Sequence, residues 1–184
     1  MKVYAVTGPC GVGKTTAVNS LPGNIRRHKE GYMQLDDETI YIKNSLFLSK
    51  IRYLSSWCLN MIEINSQGVK LLVSDRCPFD VAAYVSNEEL QFDIVKEYMK
   101  ELDQNYGITV KTVYFRASFD FSMKNVRERI VREPGRIRYG ENDVIFLRKT
   151  YDFFERKISS WDFVIDSMKS KEAVKDNLLA ILKP

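Results

Sequence analysis

Gly8-Pro9-Cys10-Gly11-Val12-Gly13-Lys14-Thr15 stands directly after a β-rich run, Val3-Tyr4-Ala5-Val6-Thr7, and opens a helix-forming stretch that ends near Leu21-Pro22-Gly23. The segment fits the pattern G-x-x-x-x-G-K-[ST]. Its glycines let the backbone curl so that successive N–H groups point inward at a polyphosphate, and the helix that follows turns its positive end to the same charge. Lys14 is expected to reach the β- and γ-phosphates and the Thr15 hydroxyl to take one Mg²⁺ position. Gly8, Cys10, Gly11, Val12, Gly13 and Thr16 complete the expected cofactor-binding loop. A random chain of this length matches the pattern roughly once in a hundred, and the strand before it and helix after it make coincidence rarer. The stretch implies an ATP or GTP site.

Working outward, strand-like and helix-like segments alternate. Tyr32 to Leu35 reads as a second strand, followed by a helix from about Asp37 to Ser66 whose stripe Phe47, Ile51, Leu54, Cys58 and Met61 alternates steps of four and three. Gly68 stops that helix. The run Val69 to Ser74 is continuously apolar at its centre, as in a parallel strand covered on both faces. Ser86-Asn87-Glu88-Glu89 has capping-box spacing and starts a helix that runs to Gly107. A strand at Val110 to Phe115 precedes a helix with Phe119, Met123, Val126 and Ile130 on one face, ended by Pro134-Gly135. A helix over Asn142 to Lys157, a strand Phe163 to Ile165 and a helix Ser170 to Leu182 complete the chain. Strands separated by helices predict an α/β architecture with a mainly parallel sheet.

Composition narrows the class. With 184 residues, 45% apolar and 28% charged, the chain is expected to be one domain, 1–184, with ordinary globular usage rather than a disordered, collagen-like or membrane-spanning one. No apolar stretch approaches the roughly 18 residues a membrane span needs, and no signal pattern opens the chain, so a soluble cytoplasmic protein is expected. Cys10, Cys58 and Cys77 form no CxxC pair and share the chain with the single His28, which argues against a zinc site or a disulfide framework. His28 lies among Arg26, Arg27 and Lys29 and is expected on a solvated basic loop.

Two further anchors carry chemistry. The strand ending at Ser74 continues as Asp75-Arg76, at the carboxyl end where parallel sheets bind ligands. Asp75 is suited to holding Mg²⁺ or accepting a proton, and Arg76 to clamping an acceptor phosphate; a surface Asp-Arg pair is the plain alternative. From Lys111 to Arg138 eight basic residues face three acidic ones, a local net charge of +5 against +4 for the whole chain. Arg127 is expected at the nucleotide, and Arg132 and Arg136 at the group in transfer, with residues of about 132–142 forming a lid. A solvated helix face of Arg/Glu pairs is the alternative. The chain lacks the N-K-x-D motif of GTP switches, the L-S-G-G-Q of transporter ATPases and a strand ending in Asp-Glu. A small-molecule kinase is the class left in front.

The loop with paired Thr15-Thr16, Asp75-Arg76 followed by Ala83-Tyr84, the arginine-rich helix and lid, and the aromatic helix with Tyr151, Phe153 and Phe154 together resemble the thymidylate kinase family and its deoxynucleoside kinase relatives. The resemblance implies a three-layer P-loop NTPase fold with a five-stranded parallel sheet and an Arg-rich lid. It implies ATP- and Mg²⁺-dependent phosphorylation of a nucleoside monophosphate, with a nucleoside or other small molecule as the alternative acceptor. It places Phe47 and Arg52 of the long second helix near the acceptor, makes Tyr84 a stacking residue, and gives Asp36 a sugar hydroxyl or a base role. A helix N-cap at Asp36 and core packing of Phe47 and Tyr84 are the residue-level alternatives. A homodimer through the long helices is a further implication, with Trp57 and Phe92 readable as interface or as core. A nucleotide-dependent nucleic-acid-binding module, its arginines on polynucleotide phosphates, is the reading from another class.

Overall fold

The computed structural model describes residues 1–29, 46–84 and 88–183, at 46–50 and 88 for the backbone alone. Five strands, β1 (Lys2–Thr7), β2 (Arg26–His28), β3 (Leu71–Asp75), β4 (Thr109–Arg116) and β5 (Phe163–Asp166), form one parallel sheet in the order β2-β3-β1-β4-β5. The burial of each strand follows its place in that order. β1 is buried from Val3 to Thr7 and β3 from Leu72 to Asp75, the continuous pattern of interior parallel strands. At the edge, β5 buries Ile165 alone.

The other edge departs from the sequence reading. Arg26–His28, expected as a solvated loop, is β2, paired in parallel with β3 in the register Arg26↔Leu72, Arg27↔Val73 and His28↔Ser74. Three polar residues show no apolar period, yet an edge strand needs only backbone pairing, and charged side chains suit an edge. The strand expected at Tyr32–Leu35 lies outside the described residues.

The helices are α1 (Lys14–Asn19), α2 (Leu46–Ser66), α3 (Glu88–Tyr106), α4 (Phe119–Arg132), α5 (Val144–Arg156) and α6 (Lys171–Leu182). Several begin where a short polar side chain supplies the missing acceptor. Ser118 Oγ accepts from Phe121 N at 3.2 Å, and Ser170 Oγ from Ala173 N at 3.2 Å. Asp143 Oδ1 accepts from Ile145 N at 2.9 Å and from Phe146 N at 3.0 Å. A 3₁₀ segment, Pro134–Tyr139, stands within the stretch expected to form a lid, and another, Pro78–Tyr84, follows β3. No helix among the described residues is long and apolar enough to cross a membrane.

The chain divides into two compact units, Met1–Ala5 with Gly23–Lys111, and Val6–Pro22 with Thr112–Pro184. In the first, Val3, Ala5 and Leu72 pack with Leu54, Trp57, Met61, Val95 and Leu102. The expected stripe on α2 is therefore a core face at Leu54, Cys58 and Met61, and Trp57 and Phe92 are buried as well. Burial, with Glu101 nearby, pushes the Cys58 thiol up to about 12, so it stays protonated and inert. In the second unit Tyr114, Phe154 and Trp161 cluster, with ring centroids 5.9–6.0 Å apart, and Tyr114 Oη donates to Glu155 at 2.7 Å.

His28 belongs to a polar network beneath the first unit's edge. Trp57 Nε1 donates to Ser74 Oγ at 3.0 Å, and His28 Nδ1 lies 3.3 Å from the same oxygen. Burial holds the His28 imidazole below its ordinary 6.5. Its folded pKa is thus depressed, so its contribution to stability is present above pH 6.5 and lost as pH falls through the folded value. Thermal melts should show Tm falling as pH drops below about 6.5, and His28→Gln should flatten that dependence; an unchanged profile in the variant would assign the slope to other groups.

Candidate nucleotide site

The loop after β1 is held by side chains on its carbonyl oxygens. Lys14 Nζ donates to Gly8 O at 2.6 Å and to Pro9 O at 2.7 Å. Ser122 Oγ donates to Cys10 O, and Asn125 Nδ2 donates to Gly11 O at 2.7 Å. Four consecutive carbonyls are thereby drawn toward side chains of the fold. Because the C=O and N–H of a trans peptide point in opposite directions, the bonds to Pro9 O, Cys10 O and Gly11 O turn the N–H groups of Cys10, Gly11 and Val12 the other way, as an anion-binding concavity requires, while Gly8 O precedes Pro9, which has no N–H. Lys14 is 5% exposed, Val12 is buried, and the Thr15 and Thr16 hydroxyl residues are exposed.

Gly11 and Gly13 make the path possible. Their φ angles are +79° and +85°, a region costly for residues with a Cβ. A Cβ at Gly11 would also lie 2.5 Å from Ser122 O and 3.0 Å from Val126 Cγ2, whereas one at Gly13 would meet nothing within 4 Å. The close approach of α4 to the loop therefore depends on Gly11.

Ser122, Asn125, Val126 and Arg129 recur at steps of three and four, so they share one face of α4. The first three touch the loop, and Arg129 is the next turn of that face. Arg129 Nη2 sits 2.6 Å from Glu141 Oε2, and Glu141 is 5% exposed. Arg136 Nε donates to Glu133 Oε2 at 2.9 Å, and its Nη1 lies 3.5 Å from Glu141 Oε1. The hydrogen bond from Arg136 holds the Glu133 carboxyl below its ordinary value. Arg127 and Arg132 are exposed, the latter with Nε 3.3 Å from Glu128 O. Of the arginines expected at the nucleotide, Arg136 joins a built cluster, while Arg127 and Arg132 lie on the solvent side. Ser122, Asn125, Arg129 and Glu141 were not singled out from sequence. The helical spacing from Ser122 to Arg129 is the signal for three of them; nothing in the sequence marks Glu141 as buried.

The remaining residues belong to the other unit. Asp75 ends β3 and is 5% exposed. Arg76 follows with φ of +124°, the single non-glycine residue of positive φ among those described, a conformation that costs about 1–3 kcal/mol and collects at functional positions. Its Nη1 lies 3.7 Å from Oδ2 of Asp80, itself 4% exposed on the 3₁₀ turn. Tyr84 is half-buried at the end of that turn and Arg52 is exposed on α2. Asp36 lies outside the described residues, as does the side chain of Phe47.

No protein-family profile matches the chain, and no curated protein does. Solved structures do match over its full length. Deoxyadenosine kinase from M. mycoides with bound dATP superposes with a TM-score of 0.66 at 15% identity, covering 99% of each chain. The same enzyme with the products dCMP and a flexible dCDP gives 0.63 at 18% identity, over 99% of this chain and 98% of that one. With bound dCTP it gives 0.61 at 18% identity and the same coverage. The fold is shared with deoxyadenosine kinase. The likeness to deoxyadenosine kinase extends over both compact units and fits the five-stranded parallel sheet expected from sequence.

The loop geometry separates two substitutions. Gly13→Ala is expected to cost backbone strain of about 1–2 kcal/mol. Gly11→Ala adds the overlap with α4 and is expected to lose ATP binding and lower Tm further. Calorimetric titration with ATP and thermal melts rank the two, and equal losses would show that α4 does not constrain the loop.

Proposed function

We propose that this protein is an ATP- and Mg²⁺-dependent phosphotransferase acting on a nucleoside or nucleoside monophosphate, with a deoxynucleoside as the favoured acceptor. The observation that carries the reading is the loop whose carbonyls are taken by Lys14, Ser122 and Asn125, bonded to the helix that bears the arginines. The full-length likeness to deoxyadenosine kinase supports the choice of acceptor class over a thymidylate-specific one.

In this reading the loop and Lys14 hold the donor's β- and γ-phosphates. The exposed Thr15 hydroxyl fits Mg²⁺. Mg²⁺ keeps several waters and is held through substrate phosphates and one or two protein oxygens, a role for which Thr15 and Asp75 offer the oxygens. When bound, that ion neutralises charge on the phosphates. Asp75 is assigned the acceptor's proton or support of the metal, and Arg76, with its strained backbone and its pairing to Asp80, binding of the acceptor. The arginines of α4 and of the turn after it stabilise charge on the group in transfer, and in-line positioning supplies most of the acceleration.

ADP release from ATP across a panel of nucleosides, deoxynucleosides and their monophosphates tests the reading. Stimulation by a deoxynucleoside is expected; stimulation by monophosphates alone would favour the thymidylate-like alternative, and none at all would defeat both. Lys14→Ala should lower kcat by at least about a hundredfold in a chain that still folds, with a modestly lower Tm from the two lost loop bonds, and near-normal turnover would sink the assignment of Lys14.

A further inference from the structure

The arginine segment is not one uniform patch. Arg127, Arg132 and Arg138 are exposed, whereas Arg129 and Arg136, seven positions apart, converge on the one buried carboxylate of the segment. Glu141 offers a separate oxygen to each: Oε2 to Arg129 at 2.6 Å and Oε1 to Arg136 at 3.5 Å. Two guanidinium groups brought this close repel one another, and a carboxylate between them removes that repulsion. The dependence is mutual, because an unpaired carboxylate as buried as Glu141 would be costly.

The side chain of Glu141 is not needed to shape the turn it occupies. Gly140 closes the 3₁₀ segment in the left-handed conformation at φ of +75°, its N–H bonded to Ile137 O at 3.0 Å. Asp143 caps α5, and its N–H bonds to Gly140 O at 3.0 Å. The pairing is also incomplete in a telling way. Arg129 Nε is buried and has no hydrogen-bond partner among the described residues, so a donor remains on the guanidinium that Glu141 holds. That guanidinium sits one helical turn beyond Asn125, which binds Gly11 O.

We propose that Glu141 is a positioning residue, a buried carboxylate that holds Arg129 and Arg136 together as a two-pronged clamp for the phosphoryl group in transfer. This rests on the kinase reading above. Glu141 touches no reacting atom; it assembles the arginines before the nucleotide arrives, so that their ordering is not required during the reaction. Ground-state binding of ATP belongs mainly to the loop and Lys14, so the clamp acts on kcat more than on KM.

Glu141→Gln keeps the shape and removes the charge. With ATP and the best acceptor of the panel, kcat should fall about 10- to 100-fold while KM for ATP moves less than about threefold. Glu141→Asp, which restores charge at shorter reach, should recover part of the loss. Adding Arg129→Gln to Glu141→Gln should cost little beyond Arg129→Gln alone, since the two act as one unit. A kcat within twofold of wild type in Glu141→Gln, or losses that multiply in the double variant, would overturn the clamp.

Limited trypsin digestion of the nucleotide-free wild type tests the same contact without any variant or turnover. Cleavage after exposed Arg138 should run at least tenfold faster than after Arg136, whose guanidinium the protease must pull from Glu141 and Glu133; equal rates would overturn the proposal. A wild type that makes no ADP with any acceptor defeats the kinase reading, and the clamp is then judged by the protease rates alone.

Discussion

Everything attributed to the nucleotide site depends on four backbone carbonyls facing the protein. Gly8 O and Pro9 O are bonded by Lys14, Cys10 O by Ser122 and Gly11 O by Asn125. A glycine-rich loop is entropically expensive to order, since glycine has the most freedom to lose. Side-chain bonds from a regular helix offset that cost and fix the direction of the N–H groups in one arrangement. The loop is thus preorganised by α4 rather than by its own sequence alone, and Gly11 is the residue through which the two are fitted together. The same helix carries Arg129 onward by one turn, so one rigid element sets both the donor loop and the first arginine.

The charge of the arginine segment takes on a different meaning once its partners are known. As a sequence it is a block with a local excess of +5. In the structure Arg129 and Arg136 are shared between Glu141 and Glu133, and the more exposed arginines point to solvent. Exposed pairs such as Arg136 with Glu133 contribute little on their own. The pair involving Glu141 is different because its carboxylate is almost out of water, where the interaction is less screened and the loss of a partner is felt. What the structure builds is therefore an arrangement of two arginines around one acid rather than a patch of positive residues.

How far the sequence reached follows from the kind of signal each feature leaves. The path of the loop Gly8–Lys14 was legible because it demands glycine at fixed positions, as the positive φ of Gly8, Gly11 and Gly13 shows. The interior strands were legible from continuous apolar runs, α4 from the spacing of Phe119, Met123, Val126 and Ile130, and α6 from its start at Ser170, whereas the caps Ser118 and Asp143 emerge only in the structure. β2 was not, because Arg26-Arg27-His28 is strand by backbone pairing to β3 and leaves no apolar trace. Asp80 and Glu141 were passed over for a related reason. An acid in a charged sequence looks like a solvated one, and its burial is decided by arginines that approach it from elsewhere in the fold. Arg129 lay between: its spacing from Ser122 and Asn125 was readable, but the fact that this face of α4 meets the loop was not.

The two kinds of candidate residue also differ in how the fold stabilises them. The loop is built against buried positions such as Val12 and Val126, and Asp75 and Asp80 lie within a packed interior that can hold Arg76 in a strained backbone. The segment Pro134–Tyr139 buries none of its residues. Local stability tracks buried contacts, so this segment belongs to the less stable end of the molecule, where elements that open and close are drawn from. For such an element the pairing at Glu141 carries more weight than the same pairing would on a core helix. A single buried carboxylate can then tie Arg136, on a segment that packing alone does not hold, to Arg129 on α4, so that an exposed turn keeps a fixed place beside the helix.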